Sequence, residues 1–92
     1  MRRVRFVVVG RVQGVGFRAC TQAAAREFGL VGFVQNRADG AVEGQAEGDE
    51  RAVAGFVEWL HQGSPYSRVD RVDVEDLAVV AAEVAFDVRR RG

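Results

Sequence analysis

The order in which two hydrophobic periodicities follow one another is the most constraining feature of this chain. Apolar residues alternate with polar ones in five short stretches, as in strands that bury one face. Two other stretches carry apolar residues at helical spacing, one after the first strand and one after the third. The resulting order is β-α-β-β-α-β followed by a short terminal strand, which predicts an α+β protein.

The turns and caps place these elements along the chain. An Asp39-Gly40 turn joins the second and third strands as a hairpin. Gly29 ends the first helix, Asp49 caps the second helix, and Gly63 ends it. The predicted strands are Val4 to Gly10, Val31 to Arg37, Ala41 to Glu47, Val69 to Val74 and Val84 to Val88, and the predicted helices are Ala19 to Phe28 and Asp49 to Gly63.

This order is typical of a ferredoxin-like βαββαβ sandwich, with two helices on one face of a mainly antiparallel sheet of four to five strands. Right-handed crossovers make 4-1-3-2 the expected strand order. The chain has 92 residues, which accommodates one domain and excludes a Rossmann domain, an α/β barrel or a two-domain enzyme. We therefore expect residues 1–92 to form a single domain.

Composition and charge limit the kinds of partner that this chain is expected to bind. Lys and Arg together number 13, as do Asp and Glu, so the formal net charge is zero, which argues against a dedicated nucleic-acid binder. Cys20 is the single cysteine, so no disulfide forms within the chain, and no Cys or His spacing indicates a metal site. No stretch is suited to a membrane span or a signal peptide. The expected location is the cytoplasm.

The segment from Gly10 to Arg18 is the part of the chain with an evident chemical purpose. It leaves the first strand, turns at Gly14 and Gly16, and enters a helix. Backbone N–H groups in such a turn can converge on an anion, and an arginine can bind a phosphate through two hydrogen bonds. Loop physics leaves a second interpretation equally open, in which the glycines only make a turn and Arg18 is a solvated surface residue.

Two common phosphate-binding motifs do not fit this segment. Residues 14–19 satisfy the dinucleotide fingerprint, but the strands that follow form a hairpin, whereas such a site needs a parallel second strand that ends in an acidic residue. The P-loop of nucleoside triphosphatases needs a Gly-Lys-Ser/Thr sequence, which does not follow here.

The segment instead resembles the signature loop of the acylphosphatases, with the sequence Gly10-x-Val12-Gln13-Gly14-Val15-Gly16-Phe17-Arg18. The resemblance continues through Gly29-Leu30-x-Gly32-x-Val34-x-Asn36 and Asp39-Gly40-x-Val42-Glu43, and it covers nearly the whole chain. It implies a ferredoxin-like fold, in agreement with the hydrophobic pattern. It also implies hydrolysis of the carboxyl–phosphate bond of acyl phosphates to a carboxylate and inorganic phosphate.

The resemblance further implies which residues carry this reaction. Asn36, the single asparagine of the chain, would position the attacking water, and Arg18 would be the main ligand of the phosphoryl group. The expected catalytic residues are thus Arg18 and Asn36. The expected phosphate-binding residues are Gln13, Gly14, Val15, Gly16, Phe17 and Arg18.

The chemistry of an acyl phosphate is consistent with the absence of a metal ligand set, a catalytic histidine or a cofactor motif. The leaving group is a carboxylate, so a strong general acid is not required. The loose transition state of phosphoryl transfer demands positioning and charge stabilisation above all. We expect a monomer without metal or cofactor, for which inorganic phosphate or sulfate is a competitive ligand.

Two other functions stay open beside a free-standing acylphosphatase. The same site could serve in the acylphosphatase-like domain of hydrogenase-maturation carbamoyltransferases, which normally precedes zinc-finger and transferase regions that these 92 residues do not contain. A ferredoxin-like module could instead bind RNA or a regulatory ligand without catalysis. RNA-binding modules of this fold display aromatic residues on the open face of the sheet, and Phe6 and Phe33 could face either way.

Two features outside these motifs carry structural expectations only. Cys20 shares its helical phase with Ala24 and Phe28, which favours packing over a role as a nucleophile. The run Arg89-Arg90-Arg91 is expected to be a solvated basic end, too short to indicate a nucleic-acid partner.

Overall fold

The helices and strands follow the predicted order. The computed structural model describes residues 1–90, so Arg91 of the basic end lies outside the described residues. The first helix begins at Phe17, two residues before the predicted Ala19, because Gly16 is already its N-cap. The described elements are β1 (Arg2–Arg11), α1 (Phe17–Glu27), β2 (Val31–Asn36), β3 (Val42–Gly48), α2 (Glu50–Gln62), β4 (Arg68–Leu77) and β5 (Phe86–Arg89).

The sheet has the order β4-β1-β3-β2-β5. Strand β1 lies antiparallel to both β3 and β4, and β2 lies antiparallel to β3, which confirms the expected order 4-1-3-2. Strand β5 is added beyond β2 and runs parallel to it, with Phe86 opposite Gly32. The sheet is therefore mixed, because the chain crosses from β4 at one edge to β5 at the other.

Both helices pack on one face of this sheet. The alternating residues Val4, Phe6 and Val8 of β1 are fully buried there, and the Phe6 ring meets the Phe56 ring of α2 edge to face at 5.5 Å. Gly44 of β3 makes this contact possible, since a Cβ at that position would lie 2.6 Å from Cζ of Phe6. The predicted ferredoxin-like sandwich is thus confirmed, with its core between the sheet and two helices. Neither helix is long and apolar enough to cross a membrane, within the part of the chain that is described.

A buried ion-pair network lies on the opposite face of the sheet. The Arg3 side chain is only 4% exposed, and its Nη1 donates to Glu47 at 3.1 Å and to Glu83 at 2.6 Å. Glu47 also accepts the backbone N–H groups of Val80 at 2.7 Å and Ala81 at 3.0 Å. These bonds hold the crossover between β4 and β5 against the sheet. The Val80 N–H, with help from Arg3, lowers the pKa of Glu47, and Glu83 raises the pKa of Arg3.

The expected packing of the first helix is only partly observed. Ala24 is buried, whereas Cys20 is half-buried and Phe28 is 38% exposed. Phe28 is the C-cap residue of α1, and its ring lies against Gly55 of α2 at the rim of the core. Cys20 therefore lies beside an open groove between the two helices instead of inside the core.

We predict that Glu47→Gln lowers stability near neutral pH and that this deficit shrinks as the pH falls into the acid range. The folded-state pKa of Glu47 lies below its ordinary value, so the ionised carboxylate stabilises the fold above about pH 4.3, and this contribution is lost as the pH falls through the folded pKa. Urea unfolding of the wild type and the variant near pH 7 and at about pH 3 measures the difference.

The exposed carboxylate of Glu75 on β4 provides the control, because Glu75→Gln removes a negative charge without touching the network. A deficit of Glu47→Gln that stays constant from neutral to acid pH would contradict an electrostatic role for this group.

Candidate active site

The carboxyl ends of β1, β2 and β5 lie at the same edge of the sheet, the one formed by the ends of the strands, because these three strands run in the same direction. The N-terminus of α1 lies at this edge too, directly after the loop that leaves β1. A cleft of about 370 Å³ opens there. Its lining residues are Val12, Gly14, Gly16, Phe17, Arg18, Ala19, Gln22, Asn36, Val88 and Arg90.

The first turn of α1 leaves its backbone N–H groups without a side-chain acceptor. Gly16, the N-cap residue, has a φ of 75° and no side chain to cap the helix, and the first turn holds no acidic residue. Helix α2 differs, because Asp49 accepts the Arg51 N–H at 3.1 Å and Glu50 lies in its first turn. An uncapped helix N-terminus with its positive dipole end is a favourable place for an anion.

Gly14 and Gly16 support the same conclusion. Both have a φ of 75°, a conformation that favours glycine, and a Cβ at either position would meet no atom within 4 Å. The glycines are therefore needed for the backbone turn and not for close packing. The space beside them is open to a ligand.

Arg18 is the second residue of α1 and is half-buried at the cleft. Its Nη1 donates to the backbone carbonyl of Arg89 at 3.3 Å, a long bond that uses one of the five guanidinium N–H groups. Within residues 1–90, no carboxylate lies within ion-pair distance of Arg18. The cleft thus holds a cation whose charge is not neutralised by a neighbouring acid.

Asn36 is the last residue of β2 and lines the same cleft as the start of α1. Its side-chain Oδ1 is buried and has no hydrogen-bond partner in the described part of the chain. Most buried polar atoms in proteins are paired, so an unpaired one calls for an explanation such as a water or a ligand. The structure therefore brings Arg18 and Asn36, which are far apart in sequence, to one cleft.

Two of the predicted phosphate-binding residues, Gln13 and Val15, have side chains that do not line the cleft. The Nε2 of Gln13 donates to the carbonyl oxygens of Arg37 at 2.7 Å and Ala41 at 2.9 Å, and Val15 packs against the core. Any contribution of these two positions to phosphate binding would come from their backbone.

Five of the lining residues were not among the predicted site residues, namely Val12, Ala19, Gln22, Val88 and Arg90. Gln22 lies one helical turn after Arg18, a spacing that could have indicated it, and its Nε2 donates to the Phe86 carbonyl at 2.9 Å. Val88 and Arg90 come from β5 and the residue after it, which no pattern in the loop could reveal. The expectation of a solvated basic end is therefore incomplete, because Arg90 borders the cleft.

The hairpin turn beside the cleft is held together by hydrogen bonds to the Asp39 carboxylate. Asp39 accepts the Ala41 N–H at 3.1 Å and an Arg37 N–H at 2.7 Å. The Ala41 N–H, with Arg37, lowers the pKa of Asp39, which therefore stays ionised and is not a proton donor at neutral pH. Among residues 1–90, no three His, Cys, Asp or Glu side chains are grouped as a metal site would require.

Comparison with known proteins identifies the family. The acylphosphatase family model matches residues 4–88. The acylphosphatase of Methylococcus capsulatus is 44% identical over 90 residues, which are 98% of each chain. The crystal structure of acylphosphatase from Bacillus subtilis has a TM-score of 0.93 and 43% identity, and the match covers 97% of this chain and 99% of that one. HypF from T. kodakarensis is 31% identical with a TM-score of 0.83, but the match spans only 12% of its length. The chain belongs to the acylphosphatase family and hydrolyses acyl phosphates.

Proposed function

We propose that the cleft at the N-terminus of α1 is where the acyl phosphate binds and is hydrolysed. The phosphoryl group binds the backbone of residues 13–18 and the Arg18 guanidinium, and Asn36 positions the attacking water. One observation carries this assignment: within residues 1–90, Asn36, whose Oδ1 is buried and unpaired, lines the same cleft as an uncapped helix N-terminus and an arginine without a carboxylate partner.

The phosphoryl group is held by charge and by geometry. The N–H groups at the start of α1 and the turn at Gly14 and Gly16 supply donors for the phosphoryl oxygens. Arg18 supplies the full positive charge and replaces its 3.3 Å bond to a carbonyl by shorter, charge-assisted bonds to the phosphate. These donors stabilise the negative charge that the equatorial oxygens carry in the transition state.

The water molecule is placed by Asn36. In this proposal its side-chain amide oxygen accepts a hydrogen bond from the water, so that the water keeps this proton and its lone pair is directed at phosphorus. The new P–O bond forms as the bond to the carboxylate oxygen breaks, and the carboxylate leaves with the electron pair of that bond. The water's second proton passes to a phosphoryl oxygen, and the products are a carboxylate and inorganic phosphate.

The residues that line the cleft agree with this proton path. None of the described lining residues is a His, Cys, Asp or Glu, so none of them is suited to general acid or base catalysis near neutral pH. A carboxylate leaving group needs no protonation, and the substrate's own oxygen accepts the proton of the water.

The open face of the sheet does not favour the RNA-binding alternative. Phe6 is 0% exposed and belongs to the core. Phe33 lies on the open face, but the Arg89 guanidinium covers its ring at 3.7 Å from the centroid. This face therefore lacks a free aromatic platform among the described residues. A monomeric state and a cytoplasmic location stay predictions from the sequence.

We predict that Arg18→Ala abolishes turnover and phosphate binding together. The side chain supplies a full positive charge to the phosphoryl group, so kcat/KM should fall at least about 1,000-fold. Hydrolysis of benzoyl phosphate and calorimetric titration with inorganic phosphate measure the two effects. Arg71→Ala, on the exposed edge strand β4, is the matched control. Retained phosphate affinity in Arg18→Ala would place the phosphoryl group elsewhere.

We predict that Asn36→Ala loses turnover and keeps phosphate affinity. The amide contacts the water and not the phosphoryl group, so kcat should fall about 100-fold or more while the inhibition constant of phosphate is unchanged. Gln35→Ala is the control, because Gln35 is the preceding residue on the opposite face of β2. Normal turnover by Asn36→Ala would refute the assigned role in positioning water.

We predict that turnover survives chelation and that phosphate and sulfate inhibit competitively. No step of the proposed mechanism uses a metal ion. Phosphate and sulfate can both accept hydrogen bonds from the backbone N–H groups at the start of α1. Rates of benzoyl phosphate hydrolysis in excess EDTA, and inhibition at several substrate concentrations, test the two statements. Loss of activity on chelation that returns with an added divalent cation would contradict the first, and non-competitive inhibition would contradict the second.

A further inference from the structure

The side-chain amide of Gln13 connects the phosphate loop to the neck of the β2–β3 hairpin. Its Nε2 donates to the carbonyl oxygen of Arg37 at 2.7 Å and to that of Ala41 at 2.9 Å. A primary amide has two N–H donors, and both are used here. The two acceptors lie on the two sides of the hairpin, so a single side chain holds both of its arms.

These acceptors adjoin Asn36. Arg37 directly follows it, and the Arg37 N–H donates to the Ala41 carbonyl at 2.8 Å to close the neck of the hairpin. Asn36 itself pairs with Val42 in the ladder between β2 and β3. Within residues 1–90, Oδ1 of Asn36 has no hydrogen-bond partner, so no hydrogen bond of its own holds that oxygen, and its place depends on the backbone at the end of β2 that carries it.

We propose that Gln13 is a positioning residue, whose amide holds the end of β2, and with it Asn36, at the correct distance from the phosphate loop. This assignment rests on the function proposed above for the loop and for Asn36. Gln13 precedes Gly14 directly, so its hydrogen bonds link the backbone that binds the phosphoryl group to the backbone that carries the water ligand. Misplacement of a reactant by about 1 Å can cost about 100-fold in rate, so such a link matters for catalysis.

Loss of this amide should leave the fold intact. The Ala41 carbonyl keeps the Arg37 N–H at 2.8 Å, and the Arg37 carbonyl keeps the Gly40 N–H at 3.3 Å. Neither acceptor is therefore left without a partner when the side chain is shortened. Phosphate affinity should also persist, since the Gln13 side chain does not line the cleft.

The first test compares Gln13→Ala with Gln35→Ala. The Nε2 of Gln35 donates to Glu43 at 2.8 Å, so Gln35→Ala also removes a glutamine side-chain hydrogen bond, but one that links β2 to β3 on the open face of the sheet. We expect kcat to fall about 10- to 100-fold in Gln13→Ala and to stay unchanged in Gln35→Ala. The inhibition constant of phosphate should be unchanged in both, and circular dichroism with urea unfolding should show both to be folded.

A double-mutant cycle separates positioning from direct binding. If Gln13 acts through Asn36, the variant that combines Gln13→Ala with Asn36→Ala should be no slower than Asn36→Ala alone. Multiplied losses in the double variant would overturn the proposal, as would a rise in the phosphate inhibition constant that matches the loss in kcat. Normal kcat in Gln13→Ala beside a slow Asn36→Ala would overturn this proposal alone. Normal kcat in Asn36→Ala would refute the water role and the positioning role together.

Discussion

The candidate site depends on the shared direction of β1, β2 and β5. Parallel strands end at the same edge of a sheet, so the loop after β1, the end of β2 and the end of β5 are brought together whatever their separation in sequence. Helix α1 starts at this edge because it follows β1 after a short turn. The positive end of its dipole and the side chains of Arg18 and Asn36 therefore meet at one place.

The polar side chains at the two ends of the sheet differ in how they are paired. At the end away from the cleft, Arg3 is buried but fully engaged by Glu47 and Glu83, and the backbone of the crossover is tied to the same carboxylate. At the cleft, Arg18 has no acidic neighbour among the described residues and the Asn36 oxygen has no partner. Two buried side-chain atoms of the described residues lack a partner, and of these Asn36 Oδ1 belongs to a residue of the cleft whereas Ser64 Oγ does not. A buried polar atom of this kind costs free energy unless a water or a ligand pairs with it.

The glycines of the loop show how local sequence serves this arrangement. Gly14 and Gly16 adopt a backbone conformation that other residues disfavour, and neither makes a close contact. Gln13, between them and β1, has the opposite character, because its side chain is fully engaged with the hairpin. The loop thus combines two glycines that turn the backbone with a preceding residue that is anchored to the hairpin.

The sequence by itself determined the order of the elements, the hairpin at Asp39-Gly40 and the loop that carries Arg18, because these depend on periodicity and turn chemistry within a few residues. The resemblance of its motifs to those of the acylphosphatases predicted that Asn36 acts together with that loop. Tertiary structure alone decided that β5 runs parallel to β2, that Arg3 is buried beneath the crossover, and that Arg90 borders the cleft. It also decided that the Gln13 side chain bonds to the hairpin and does not line the cleft. Each of these depends on contacts between residues more than twenty positions apart, and such contacts form only when the sheet is assembled, so no local pattern records them.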